Sequence, residues 1–388
     1  MRSNNNNRSS KLEQAAPSLM AVAIGLLVGI VIIFLTNPEK AASSIPQFFM
    51  GPFNRGLTGL GDLLYHMTPL LMTGLSVGFA YQTGLFNIGA SGQFLFGGFL
   101  AILLSAKLKG VIPDNILWIF ALLLAGLGGA LMASIVGILK AYRNVNEVIT
   151  CIMLNYTSMY VVNDLIKRFK IYNQMKNNTV SLSTAIPKMG LDLIFPGTIA
   201  GGGILIGIAI VVLLNIILKK TTFGFELKGV GLNRNAARYA GISEKKSIVL
   251  SMAIAGFLAG MAGGMLYLSG AGNHLTVQEV LPQEGFDGIA IALLGLSDPI
   301  GIFFSAFLIA YMKLGGQAIQ TLGFAPELIT MIISMILYIS ALAVLFRRLL
   351  TRRRIRAVRR EEASGFKKAD RGGEARPDEG KKTESEED

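Results

Sequence analysis

The sequence predicts an all-α, polytopic transmembrane helical bundle of about ten spans, and three observations predict it. Hydrophobic residues make up 52% of the 388-residue chain and charged residues only 15%, against about a quarter in soluble domains. Mean hydropathy is +0.53. The apolar residues gather in blocks of roughly 20, the length a helix needs to cross a hydrocarbon core of about 30 Å.

In chain order the blocks are 18–36, 57–80, 85–106, 115–139, 147–166, 199–218, 247–270, 285–297, 300–318 and 327–346. The first is uncharged from Leu19 to Phe34, long for the apolar stretch of a secretory signal, and reads as a retained anchor. The eighth is short and ends at Asp298-Pro299, where proline disfavours helix in the residue before it, so a tilted or broken helix is expected. A transmembrane domain thus occupies 18–346, between an N-terminal segment 1–17 and a tail 347–388.

The net charge of +12 reports orientation. With both termini in the cytoplasm, the inner segments 1–17, 140–146, 219–246 and 347–360 hold 20 Lys and Arg. The outer segments 37–56, 107–114 and 167–198 hold 9, a bias that favours this orientation and an even number of spans. The outer loop 167–198 carries five of those nine, and flipping it would expose the more basic 219–246 instead. Eight arginines follow the last span in 347–360, where anionic lipid attracts them or they simply stop transfer. From Glu361 onward the tail is charged and nearly free of large apolar residues, a composition expected to stay disordered.

Several functions are disfavoured. A nucleic-acid binder places its basic groups on a folded, water-facing surface, whereas these lie between apolar blocks and in a tail. Cys151 is the single cysteine, so neither a disulfide nor a cysteine metal site can form within the chain. Two histidines, His66 and His274, leave little material for catalysis. Nothing matches the phosphate loop G-x-x-x-x-G-K-[ST], so any ATP that drives this protein is bound by another chain.

Small residues recur every fourth position at Gly25/Gly29, Gly74/Gly78, Gly203/Gly207 and Gly256/Gly260/Gly264, a spacing that lets helix backbones approach closely. The ionisable residues Asp62, His66, Glu147, Asp164, Glu279, Glu284, Asp287 and Glu327 fall near span ends, and none shows an obvious basic partner at mid-span. Lys313 is expected to snorkel to the outer surface. This pattern disfavours an ion-coupled secondary transporter. In the loop 219–246, Asn233 is a helix N-cap, Arg234 to Ala240 a short helix and Gly241 its stop.

Four segments, in order, resemble the permease subunits of ABC importers that serve branched-chain amino acids, ribose-type sugars and nucleosides. They are 84–93 (GLFNIGASGQ), 145–156 (VNEVITCIMLNY), the run 222–264 with its G-x-N-x-x-A-A-x-x-x-G-I core, and 285–295 (GFDGIAIALLG). The last is nearly the form typical of nucleoside-type members. Ser91 stands where the family usually has Glu, and Lys228-Gly229 where Arg-Ala is common. The resemblance covers roughly 60–340 and implies a type II-like importer permease fold with no enzymatic activity of its own. It implies an ABC ATPase subunit that binds ATP, a second related permease subunit, and an extracytoplasmic substrate-binding (lipo)protein. The ATPase-coupling positions it implies are Gly231, Asn233, Arg234, Ala236, Ala237, Arg238, Gly241 and Ile242, on a cytoplasmic helix near 232–241.

A nucleoside presents a flat base and ribose hydroxyls, so aromatic surfaces and neutral hydrogen-bonding groups suit it. Phe86, Asn87, Gln93, Asn155, Tyr156, Phe286 and Asp287 are the candidates for the substrate path, although Asn and Gln in a span also bond neighbouring helices. A simple-sugar permease of the ribose or galactose type is the alternative within the family, and a self-contained secondary transporter the alternative outside it.

Overall fold

The computed structural model describes residues 23–335 and 338–339, and its compact unit is Gly25–Leu337. The segment 1–17, the tail 347–388 and parts of the blocks 18–36 and 327–346 lie outside the described residues. The helices are α1 (Ala23–Thr36), α2 (Pro38–Met50), α3 (Leu57–Gln82), α4 (Ala90–Lys107), α5 (Asp114–Arg143) and α6 (Glu147–Arg168). After them come α7 (Leu191–Ile194), α8 (Gly203–Lys220), α9 (Thr222–Leu232), α10 (Arg234–Tyr239), α11 (Glu244–Tyr267), α12 (Gln283–Leu294), α13 (Pro299–Gln320) and α14 (Pro326–Met335).

Six helices are long and apolar enough to cross a membrane: α3, α4, α5, α8, α11 and α13. The chain is a multi-pass membrane protein. Helix α6 has 22 residues but carries Asn155, Asn163 and Asp164. Helix α12 has 12 residues, about 18 Å, too short to span. Among the described residues, α1 and α14 are shorter apolar helices.

Structure appears in three stretches that the sequence presents as loop. Helix α2 lies within 37–56, capped by the Asn37 side chain and burying Ala41, Ser44 and Phe48. The loop 167–198 contains a small hairpin of β1 (Tyr172–Asn173) and β2 (Asn178–Thr179), so the fold is not wholly α. Loop 219–246 holds two helices, not one.

Helix α3 is the centre. Every residue from Met67 to Ala80 is buried, as expected of a helix that is apolar on all faces. Gly74 and Gly78 admit Ile291 and Ile302 of the α12–α13 region, and Leu71 meets Gly207 of α8. Beside it, α4, α5 and α11 pack backbone to backbone. A Cβ on Gly256 of α11 would overlap the Gly129 carbonyl of α5, and one on Gly260 the Ala125 carbonyl. A Cβ on Gly97 of α4 would sit 2.5 Å from Gly260 Cα. Lipid supplies no hydrophobic drive for association, so contact area won by shedding side chains takes its place.

The two ends of the bundle differ. One is closed by the loops 169–198 and 268–282, joined by Thr179 N to Leu275 O (3.0 Å), Val277 N to Asn177 O (3.1 Å) and Ile186 N to Leu268 O (2.7 Å). The other carries α9, α10 and the ion pairs Lys140–Glu147 and Lys219–Asp298, both at 2.7 Å.

Two glycines predict opposite responses. Gly260→Val should destabilise the protein by about 1–3 kcal/mol or more through overpacking. Gly229→Ala meets only ordinary contact with Ile242, 3.5 Å away, and should be neutral or stabilising by up to about 1 kcal/mol. Thermal unfolding in detergent measures both, and equal shifts would refute the packing account.

Candidate functional site

The two spanning helices α3 and α4 are separated by a break. Gly84, at φ +72°, takes the left-handed conformation that ends α3, with Gly84 N donating to Tyr81 O (2.9 Å) and Leu85 N to Ala80 O (3.2 Å). Residues 85–89 then run without regular helix until α4 starts at Ala90. Such backbone is tolerated inside a membrane protein only where protein satisfies its polar groups. Here a side-chain pair within the break and three distant segments close on it.

The first closure comes from within. Asn87 Nδ2 donates to Gln93 Oε1 (2.9 Å), Gln93 Nε2 donates back to Asn87 Oδ1 (3.0 Å), and Asn87 Nδ2 also reaches Ser76 Oγ on α3 (3.2 Å). The second comes from α6, where Asn155 Oδ1 accepts from Gly92 N (2.9 Å) and its Nδ2 donates to Ile88 O (3.0 Å). The third is the start of α12: Ser91 Oγ donates to Pro282 O (2.6 Å), and a Cβ on Gly285 would overlap the Ser91 backbone. Ser91 thus helps seat a neighbouring helix. The fourth is α9, whose Gly231 lies against the turn so closely that a Cβ would overlap the Gln82 carbonyl.

Two further bonds anchor the same turn. Gln82 Nε2 donates to Ser297 O (2.6 Å), and the Thr83 and Ser251 hydroxyls bond each other. All four sequence motifs therefore meet around residues 82–93, although they are scattered over more than 200 residues of chain.

The seven residues singled out for the substrate path do not form one surface. Asn87, Gln93 and Asn155 are 0%, 3% and 2% exposed and spend their hydrogen bonds on the break itself. Tyr156 turns outward, 51% exposed. Phe86 and Phe286 are half-buried. Asp287 is buried and pairs with Lys313 Nζ at 2.6 Å, with Gln283 Nε2 at 3.3 Å. That pair corrects the expectation that Lys313 snorkels outward and that no carboxylate has a basic partner at mid-span. Lys313 lies 14 residues into α13, about 21 Å along its axis, where a carboxylate is a better neighbour than lipid.

The segment between α8 and α11 is built by local rules. Thr221 caps α9, its Oγ1 accepting from Gly224 N (3.2 Å), and α9 runs unbroken through Gly229. Lys228 Nζ donates to Leu218 O (2.8 Å), so its charge serves the end of α8. Asn233 Oδ1 caps α10 by accepting from Asn235 N (3.0 Å) and Ala236 N (3.1 Å), and Gly241 at φ +82° stops it. Ala237 is the buried residue of α10, seated in a cluster that Ile242 packs against. Gly231, Asn233, Ala236, Arg238 and Gly241 are exposed, and Arg234 is half-buried. Two residues absent from the coupling positions stand out: Leu232 is 89% and Tyr239 94% exposed. Large apolar side chains that flank a short exposed helix are the signal that marks them.

Residues 59–342 match the family described as branched-chain amino acid transport system / permease component. The chain is 34% identical over 329 residues to the guanosine ABC transporter permease protein of Bacillus subtilis, covering 84% of this chain and 93% of that protein. It is 32% identical over 364 residues to the nucleoside ABC transporter permease protein of Lactococcus lactis, covering 92% and 98%. The glucose ABC transporter permease protein of Haloferax volcanii is 28% identical over 302 residues, with 74% and 75% covered. The family match encloses the α3–α4 break and every segment that closes on it, and the chain belongs to the branched-chain amino acid transport system permease family.

Proposed function

We propose that the chain is the membrane-spanning permease subunit of an ATP-driven ABC importer for nucleosides. The observation that carries it is the contact of α9 with the α3–α4 turn, which ties an exposed, capped segment directly to a break between spanning helices. The substrate class is supported by the guanosine and nucleoside permeases among the relatives. A simple-sugar permease is the second reading, favoured by the glucose permease relative. Family and relatives are transport components and not enzymes.

In this reading the chain makes about ten passes through a bacterial cell membrane with both termini in the cytoplasm, the pass at α12 completed by the loop before it. A separate ATPase subunit binds ATP and grips α10, with Leu232 and Tyr239 joining Asn233, Arg234, Ala236, Ala237, Arg238, Gly241 and Ile242 in the contact. A second related permease completes the path, and an extracytoplasmic substrate-binding lipoprotein delivers the ligand. Closure of the ATPase favours one of two packings of the helices, and the turn at 82–84 carries that choice into the bundle. Asn87, Gln93 and Asn155 act as positioning residues that hold the break, while Phe86 and Phe286 remain the candidates for touching substrate.

Membrane vesicles that hold the assembled complex should take up labelled guanosine, and inactivating the ATPase should abolish uptake. Uptake driven by an ion gradient instead would refute the importer. Competition by ribose or glucose, with none from unlabelled nucleosides, would establish the sugar reading.

Three sets of substitutions test the roles. Leu232→Asp with Tyr239→Asp should lower ATPase co-purification about tenfold or more, about 1.4 kcal/mol, without changing the thermal stability of the chain. Asn155→Leu leaves the Gly92 amide and Ile88 carbonyl unpaired and should cost about 1–3 kcal/mol for each group left without a partner. Lys313→Met isolates a buried carboxylate and should cost about 3–5 kcal/mol, much of it recovered when Asp287→Asn is added. No recovery in the double variant would mean the pair is not coupled.

A further inference from the structure

At the end of the bundle that is extracytoplasmic in the proposed orientation, four segments, one of them Thr198–Ile199 before α8, line an open cup of about 610 Å³. Asp114, Asn115 and Trp118 come from the start of α5, Ser183 and Lys188 from the loop before α7, and Ser269 from the end of α11. The volume falls in the range of small-molecule sites, about 300–1,000 Å³. Ile186 and Ser269 also border a small gap lined by Tyr65, Thr68 and Met265, so the cup leads toward α3.

The chemistry of the lining is specific. One carboxylate and one ammonium offset each other, which gives no preference for an anion such as a nucleotide or a phospholipid headgroup. Asp114 Oδ1 accepts from Thr184 (2.9 Å) and Lys188 Nζ donates to Thr198 O (3.2 Å), so the walls are braced. The indole N–H of Trp118 donates to Asn115 O (2.8 Å), which fixes the ring and leaves it half-buried against the cup. Among the described residues, the side chains of Asn115 and Ser183 are exposed and form no hydrogen bond. A held aromatic plane beside free amide and hydroxyl groups suits a neutral ligand with a flat base and several hydroxyls.

We propose that this cup is a receiving site for a neutral nucleoside at the mouth of the permease, with Trp118 against the base and Asn115 and Ser183 bonding its polar edge. The proposal rests on the nucleoside reading above and adds a binding site to it.

Trp118 is the chain's single tryptophan, so its fluorescence reports on the cup. The full chain in lipid nanodiscs, titrated with uridine and with guanosine, should show a saturable change in that fluorescence. GMP and glucose should give none. Asn115→Ala should raise the apparent Kd tenfold or more at unchanged thermal stability, and Ser183→Ala provides a second variant on another segment. No saturable response to a nucleoside, in a chain whose assembled complex still imports nucleoside, overturns the cup and leaves the importer standing. An equal response to GMP overturns the neutral-ligand assignment, and an equal response to glucose overturns the nucleoside one. Absence of nucleoside uptake by the assembled complex overturns the reading beneath it.

Discussion

Irregular backbone inside a bundle that excludes water needs its hydrogen bonds met within the protein, and residues 85–89 place that demand on their neighbours. An amide without a partner in such surroundings costs several kcal/mol, about 2–7 depending on the reference. Asn155 therefore reaches across from α6, Asn87 and Gln93 bond each other, and Ser91 holds the Pro282 carbonyl. Gly231 and Gly285 bring their own backbones against the break, where any side chain would collide. The result is a joint that touches α6, α9, α11, α12 and the α12–α13 turn at once. Gly231 of α9 rests directly on the turn that ends α3.

Rigidity and exposure are divided accordingly. The packing of α4, α5 and α11 rests on glycine contacts between backbones, and α3 is enclosed on all faces. By contrast α10 has six residues, with only Ala237 buried. A helix of that length has little stability by itself, since nucleation costs more than one turn returns. Its caps and the seat of Ala237 hold it in place, while Leu232 and Tyr239 stand free for a partner. A firm bundle with a lightly held, apolar-tipped segment at one end suits a subunit that is moved by another protein.

The charges follow the same logic of pairing. Lys140–Glu147 and Lys219–Asp298 close the end that bears α9 and α10. Deep in the bundle, Asp287 and Lys313 offset each other across α12 and α13. An isolated buried charge is costly, and the paired arrangement removes one. Asp287 is thereby committed to its neighbour.

Much was legible in the sequence because it is local. Membrane insertion follows from the lengths of apolar runs, and six of the expected blocks are helices able to span. The Asn233 cap and the Gly241 stop lie within a few residues of the atoms they serve, so the short helix could be placed by inspection. Helix α9, helix α2 and the hairpin were missed, since each is too short to stand out as a spanning block and takes its place by packing on the bundle. The partners of Asn155, Ser91 and Lys313 were beyond reach for a different reason. They lie 63, 191 and 26 residues away, and side-chain hydrogen bonds carry no trace in one-dimensional spacing. Composition and local spacing determined that this chain would be a helical membrane protein with a short capped helix in the segment 219–246. Only the tertiary structure decided that its four motifs form a single joint, because the need to satisfy buried backbone is met by whichever residues the fold brings near.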